Sequence, residues 1–254
     1  MLDRSAVRPS GFRGPAADAY KIGREEFERH LDAIARVAPR VPVSLAAEAW
    51  DASRPVFLTF DDGGASAAET IADSLERRGW RGHFLVTTDF IGRRGFLTAD
   101  EIRSLRRRGH IIGSHSRSHP HLIASCGWNE LVQEWSVSSD VLSEILGERI
   151  RVASLPGDDY ARPVAAAAAA AGFRVLFTSI PTTKTWTVDG CTVIGRYVVK
   201  AGTHSERLAT LVVGNRWPRL RQGAIWGAKR VLKAAGRPIL KHRLQQHPPT
   251  EQEG

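Results

Sequence analysis

Of 254 residues, two are cysteine, one is methionine and three are tyrosine, and the stretch 216–243 holds no Asp or Glu. Each shortage excludes something. Cys126 and Cys191 cannot form a disulfide framework, and neither has a second Cys or a His at zinc-finger spacing, so both read as buried thiols. No apolar run approaches the roughly 20 residues of a membrane-spanning helix. The opening residues Met1-Leu2-Asp3-Arg4-Ser5 carry no apolar export signal, which makes the cytoplasm the expected location. With 42% hydrophobic and 25% charged residues, the chain is expected to be globular rather than disordered or collagen-like.

The formal charge of +9 suggests a polyanion binder until it is divided by segment. Residues 1–215 hold 27 basic and 25 acidic side chains, whereas 216–243 hold nine basic ones. Three regions follow: an irregular segment over 1–15 rich in Arg, Pro, Gly and Ser, a near-neutral domain over 16–215, and a basic, partly helical extension over 216–254. No nucleic-acid partner is expected. In the extension, Trp217, Ile225, Trp226, Val231, Leu232 and Leu240 recur at near-helical spacing among the basic residues. Such a helix either packs its apolar side on the domain and solvates the basic one, or docks peripherally on an anionic membrane or polymer.

Within 16–215, short apolar runs alternate with helical periods. Strands are expected over 56–60, 84–86, 110–113, 150–154, 175–177 and 192–199. Helices are expected over 16–37, 65–78, 98–108, 129–146, 163–171 and 206–213. The Thr98-x-x-Glu101 capping box marks one helix start, and Pro163 with Gly172 frames the alanine-rich helix. Strands alternating with helices of this length indicate βα units around a parallel sheet, either a barrel or a doubly wound layer.

Functional side chains in such folds collect where strands end. Two strand ends carry unusual chemistry. Thr59-Phe60-Asp61-Asp62-Gly63-Gly64 places two carboxylates after an apolar strand, and neighbours on an extended chain point in different directions. Alone it reads more readily as a polar turn with an Asp helix cap. Gly113-Ser114-His115-Ser116-Arg117-Ser118-His119-Pro120 contains a His-x-x-x-His pair, which sits on one side of a helical turn and commonly supplies two metal ligands. Together, one carboxylate and two imidazoles make three ligands with a coordination position left open, and the second carboxylate remains as a base. His121 points elsewhere, and His83 and His110 lie at strand starts, so all three are expected to be structural or exposed.

The pair of motifs, TFDDG at 59–63 and HSxxHP at 115–120, resembles the first two signatures of the polysaccharide deacetylase family, the chitooligosaccharide deacetylase-like hydrolases. The resemblance spans roughly residues 54–200. It implies an α/β fold, a distorted (β/α) barrel with fewer than eight regular strands. It implies Asp61 as catalytic base, Asp62, His115 and His119 as ligands of a divalent metal, with zinc the expected ion, and an N-acetylated polysaccharide or oligosaccharide as substrate. Metal-assisted hydrolysis would then release acetate and leave a free amine, with Asp61 taking the proton of the attacking water.

The later family motifs are less complete. The family usually has an Arg two residues before a Pro to orient the base. Here Ser154-Leu155-Pro156-Gly157 puts Ser154 in that place, and neither Arg151 nor Arg162 is in register. Pro156, Gly157, Tyr160 and Trp186 are expected to contact substrate, the two aromatics from loops beyond strands. His204 lies in about the right part of the chain for the family's acidic His but reads better as an exposed loop residue. Residues 1–15 lack the Tyr-His strand with which relatives often begin, which leaves room for a barrel without its first strand. The same site would cleave an O-acetyl ester, and a domain missing the later motifs could hold metal and glycan without turnover. The spare carboxylate of Asp61 speaks against the last reading.

Overall fold

The expected strands pair into one sheet, and the sheet decides which residues meet. The structure, a computed structural model, describes residues 10–38 and 56–228. Seven strands follow the order β1-β2-β3-β4-β5-β7-β6: β1 (Thr59–Phe60), β2 (His83–Val86), β3 (Ile111–Ser114), β4 (Val152–Ser154), β5 (Val175–Phe177), β6 (Thr185–Val188) and β7 (Cys191–Ile194). All neighbours from β1 to β5, and β5 with β7, are parallel; β6 runs antiparallel to β7. The sheet curls into a half-barrel, the distorted and incomplete (β/α) barrel that the motifs imply, with the two-residue β1 at one edge.

Helices cover its outer face: α1 (Pro15–Asp18), α2 (Arg24–Val37), α3 (Thr70–Glu76), α4 (Ala99–Arg107), α5 (Trp128–Leu146), α6 (Arg162–Ala170) and α7 (Ser205–Val212). The core has two parts. The larger lies between sheet and helices, with Leu31, Leu75, Phe84, Leu105, Trp135 and Leu176 fully buried. The smaller is formed by Leu85, Ile111, Val152, Phe177 and Ile194, one side chain from each of β2, β3, β4, β5 and β7. Consecutive strand residues alternate faces, so a run such as Phe84-Leu85 serves both layers. In α6 the alanines 165–168 are buried along with Val164, and their small side chains let the helix approach α5, whose Trp135 indole N–H donates to the Val164 carbonyl at 3.2 Å.

Several boundaries differ from expectation. The single helix expected over 16–37 breaks into α1 and α2, and Gly23 caps the second in extended conformation. The helix over 65–78 begins as a 3-10 turn, Ala65–Ala67, before α3. The strand expected over 192–199 is shorter, ending at Ile194 as β7, and it pairs in a hairpin with an unexpected strand, β6, across a turn at Asp189 (φ 47) and Gly190 (φ 84). Two consecutive left-handed residues are what a tight hairpin turn requires, and the Asp-Gly pair was the sequence signal for it. Trp186 therefore sits on a strand, not in a loop. Cys191 is buried, its thiol pushed up to about 11 chiefly by burial, but Cys126 is only half-buried.

The histidines expected to be structural are so. His83 is buried between the rings of Phe57 and Phe177, with Nδ1 3.1 Å from the Leu58 carbonyl. His110 accepts from the Gly82 amide at 3.1 Å and has Nε2 2.8 Å from Glu76. No helix among the described residues is long and apolar enough to cross a membrane.

Candidate metal-dependent active site

Because β1, β3, β4 and β7 run the same way, the residues following them share one rim of the sheet. Asp61 and Asp62 follow β1, His115 follows β3, Ser154 ends β4, and Arg196 stands two residues beyond β7.

Asp62, His115 and His119 converge, each offering a donor atom within 4.8 Å of the others. His115 Nε2 lies 3.4 Å and His119 Nε2 3.8 Å from Asp62 Oδ1. The imidazoles do not share a helical turn as the spacing led us to expect. Residues 115–119 form a loop in which Ser116 (φ 63) and His119 (φ 59) are left-handed, and Asp62 is left-handed as well, at φ 74. That backbone conformation costs a non-glycine residue about 1 kcal/mol or more, and it persists where the surroundings enforce it.

The enforcement here is visible. Glu134 of α5 accepts from the amides of Arg117 and Ser118 at 3.1 and 2.9 Å and from the Ser118 hydroxyl at 2.8 Å. On the other side, the amides of Thr88 and Asp89 donate to the carbonyls of Ser116 and Arg117. After β1, the left-handed turn at Asp62 continues into Gly63 (φ 80), where a Cβ would lie 3.0 Å from a Val86 methyl. The turn separates the two carboxylates, so that Asp62 faces the histidines and Asp61 faces Arg196.

Arg196 grips Asp61 with two parallel bonds of 2.8 Å, Nη1 to Oδ1 and Nη2 to Oδ2. The guanidinium is itself fixed, through Nη1 to the Thr59 hydroxyl at 2.9 Å and Nε to the Thr178 carbonyl at 3.2 Å. The Ser154 hydroxyl donates to Asp61 Oδ1 at 3.0 Å. Burial pulls the Asp61 pKa upward, but the charges of Arg196 and His115 and these hydrogen bonds override it and hold the carboxyl far below the usual carboxylate range. Asp62 goes the other way: burial, reinforced by the Asp61 charge, raises its pKa against the pull of His115. Burial also keeps the His115 pKa below its ordinary value, despite both aspartates, and so favours the neutral ring that binds metals.

The hydrogen bonds of His115 settle its tautomer. Nδ1 is 3.1 Å from the Ser154 carbonyl, which can only accept, and 2.6 Å from the Ser154 hydroxyl, whose proton points to Asp61. Nδ1 therefore carries the hydrogen, and the bare Nε2 turns toward Asp62. One carboxylate oxygen and two imidazole nitrogens, with one ring oriented through its second nitrogen, are a donor set that fits zinc or a similar divalent cation.

Not every expected site residue joins this group. Pro156 and Gly157 form the turn after β4, with Pro156 buried and Gly157 at φ 67. Tyr160 and Trp186 pair with each other, the indole N–H donating to the Tyr160 hydroxyl at 2.8 Å and the rings meeting edge to face, and both are packed against the larger core. His204 is exposed at the N-terminus of α7. Arg162 is spent on an exposed pair with Asp189.

Two contributors escaped the sequence reading. Arg196 lies about 40 residues beyond the motif where an orienting Arg was sought, and its one signal was its place just after an apolar strand. Phe12 belongs to the segment expected to be irregular, and its ring lies 5.0 Å from that of His119 and against Phe90 and Phe96. A lone Phe among Arg, Gly and Ser gave no warning of this.

A curled parallel sheet with a carboxylate and two imidazoles at its rim, and a second carboxylate beside them, is the architecture of a metal-dependent hydrolase. The polysaccharide deacetylase family profile matches residues 51–176, so just under half of the chain is similar to that family. Solved structures with the same fold include IcaB from Ammonifex degensii, 19% identical over 82% of this chain and 99% of that one, with a TM-score of 0.65. The de-N-acetylase from Aggregatibacter actinomycetemcomitans is 18% identical over 80% of this chain and 93% of that one, at 0.65. The Streptococcus pyogenes deacetylase PplD, solved with acetate, is 18% identical over 77% and 90%, at 0.63. An uncharacterized 30.6 kDa protein of Geobacillus stearothermophilus is 27% identical over 111 residues, which make up 43% of this chain and 37% of that protein.

Proposed function

We propose that this protein is a metal-dependent hydrolase that removes N-acetyl groups from a polysaccharide or oligosaccharide of the exopolysaccharide, capsule or chitooligosaccharide kind. The observation that carries the reading is the division of labour between adjacent carboxylates: Asp62 faces two histidines, while Asp61 is held apart by Arg196 and Ser154. A purely binding domain has no use for the second, oriented carboxylate. The match to the family profile supports the reaction class, and the de-N-acetylase among the structural neighbours is the ground for reading an amide rather than an ester.

Asp62, His115 and His119 would hold the cation, with zinc the ion that the two imidazoles favour. A cation held there polarises the acyl carbonyl and acidifies a water bound beside it. Asp61 is the base that takes the water's proton. Arg196 aims both of its oxygens and keeps it ionised, and the Ser154 hydroxyl occupies the lone pair on Oδ1 next to His115. With the pKa of Asp61 held so low, the base is always ready but intrinsically weak, so its contribution comes from position more than from proton affinity. Pro156 and Gly157 follow Ser154 in the chain, and we place the sugar on that side, toward Tyr160 and Trp186.

Acetate release from a panel of N- and O-acetylated oligosaccharides with added Zn²⁺ tests the proposal. Wild type should act on N-acetylated members, whereas Asp61→Asn and His115→Ala should not. Equal activity in wild type and Asp61→Asn would sink the mechanism. Release from O-acetylated members alone would make the protein an esterase, and release from none would leave a glycan-binding domain.

A further inference from the structure

The chain beyond α7 forms a helix over 216–228, and its orientation is inverted. Asn215 starts it, with its side-chain oxygen accepting from the Trp217 amide at 3.1 Å, and Pro218 lies in the first turn. A surface helix ordinarily turns its apolar stripe inward. Here polar residues face inward beside the half-buried Trp226. Gln222 bridges both backbone groups of Val198, donating to the carbonyl at 3.0 Å and accepting from the amide at 3.2 Å. Arg219 donates to the Leu211 carbonyl at 2.8 Å and lies over the Tyr197 ring at 5.2 Å.

Three large apolar residues of the helix are left outside. Trp217 is 80% exposed, Leu220 59% and Ile225 46%, with Val213 close by at 48%. Trp217, Pro218, Leu220 and Ala224 line an open groove whose rim carries Arg207 and Arg221. The polar anchors mean that the helix cannot roll its apolar side inward without breaking four hydrogen bonds, so the exposure follows from the packing.

We propose that the 216–228 helix is an interfacial anchor that lays Trp217, Leu220 and Ile225 into the surface of an anionic lipid bilayer. The charge pattern selects this occupant. Residues 216–243 carry nine basic and no acidic side chains, while the rest of the chain up to 215 is nearly balanced. Exposed Arg216 and Arg221 flank the apolar residues at the level where lipid headgroups would lie. A soluble polyanion would use the positive charges and can stack on a Trp but has no use for outward Leu220 and Ile225, whereas a bilayer uses all of them, and Trp favours the interfacial zone. The proposal does not depend on the chemistry of the Asp61 site.

The test is cosedimentation of the full-length protein with vesicles of phosphatidylcholine alone and of phosphatidylcholine containing phosphatidylglycerol, across a salt series. The anionic vesicles should pull down wild type at low salt, and the neutral ones should bind it far less. Trp217→Asp with Leu220→Glu should weaken binding at least about tenfold, since each side chain contributes apolar burial. Arg216→Gln with Arg221→Gln should weaken it roughly thirtyfold and flatten the salt dependence. Both variants should keep the wild-type circular dichroism and melting temperature, because the altered side chains face solvent.

Failure of wild type to sediment with anionic vesicles would overturn the proposal. So would unchanged binding of the Trp217→Asp, Leu220→Glu variant, or heparin binding without vesicle binding, which would mark a polyanion site. A wild-type dimer that the apolar variant dissociates, with no vesicle binding, would assign the groove to a second copy of the chain. A large loss of melting temperature in that variant would mean that the chain's own residues 229–254 cover it.

Discussion

The rim of the sheet and the 216–228 helix both violate the rule that apolar groups go inside and polar groups outside, but in opposite senses. At the rim, His115 is buried and Asp61, Asp62 and Arg196 are half-buried. Along the helix, Trp217 and Leu220 are exposed. Burying a charge is expensive unless it is paired, and here every member has partners: Asp61 has Arg196 and Ser154, His115 has Ser154, and Asp62 faces both histidines. Exposing a Trp costs the folded chain little, because water solvates it in the unfolded state too. Substitutions at the rim should therefore be severe and non-additive, and those on the helix should be silent until a partner is present.

The sharpest break in that comparison is at Asp61. Asp61→Asn keeps the shape and should lower the turnover of deacetylation by about a thousandfold, the effect of removing a general base. Zinc affinity, followed by calorimetry, should change little because Asp61 is not among the facing donors. Arg196→Ala should come next: it strands a half-buried carboxylate and should cost about 1–2 kcal/mol in chemical denaturation, besides most of the activity. Arg196→Lys should rescue stability better than activity, since a single ammonium cannot reproduce the paired grip.

The third test is one of pH. Burial first of all, opposed by the hydrogen bond to Leu58, brings the His83 pKa down to about 4. The unfolded chain takes up that proton near 6.5 and the folded chain near 4, so stability from neutral His83 is complete above 6.5 and is lost as pH falls toward 4. The loss should reach about 3 kcal/mol. His83→Leu should flatten that part of the stability profile; an unchanged profile would mean that His83 is not the group responsible.

Smaller still is Glu134→Ala, which frees the loop between His115 and His119 and should weaken zinc binding about tenfold while leaving the fold intact. At the far end of the scale, Trp217→Asp should move unfolding free energy by no more than about 0.5 kcal/mol. A large loss there would erase the contrast between the two regions.

Much of the architecture was readable because its signals are local. The capping box Thr98-x-x-Glu101 forms as expected, and the alanine helix lies between its Pro and Gly. The apolar strand runs appear in the sheet, since a fully buried parallel strand has no polar face to disguise it. Asp61, Asp62, His115 and His119 were legible because their types and spacings are rare together. Other features depended on groups far apart in the chain. The hairpin of β6 and β7 was hidden by the exposed Thr185 and Thr187, and the loop at 115–119 resembled a helical turn because spacing alone does not distinguish i,i+4 on a helix from a left-handed loop pinned by Glu134.

The sequence by itself determined the βα rhythm, the carboxylates and imidazoles placed at two strand ends and the charge imbalance at the C-terminus, because each is a property of neighbouring residues. Tertiary structure alone decided that Arg196, 135 positions away, would orient Asp61, that Phe12 would pack on His119, and that the 216–228 helix would turn its apolar side outward. Those outcomes depend on how a curled sheet brings its strand ends together and on which backbone groups α7 and Val198 leave for a helix to bind, and no local spacing encodes either.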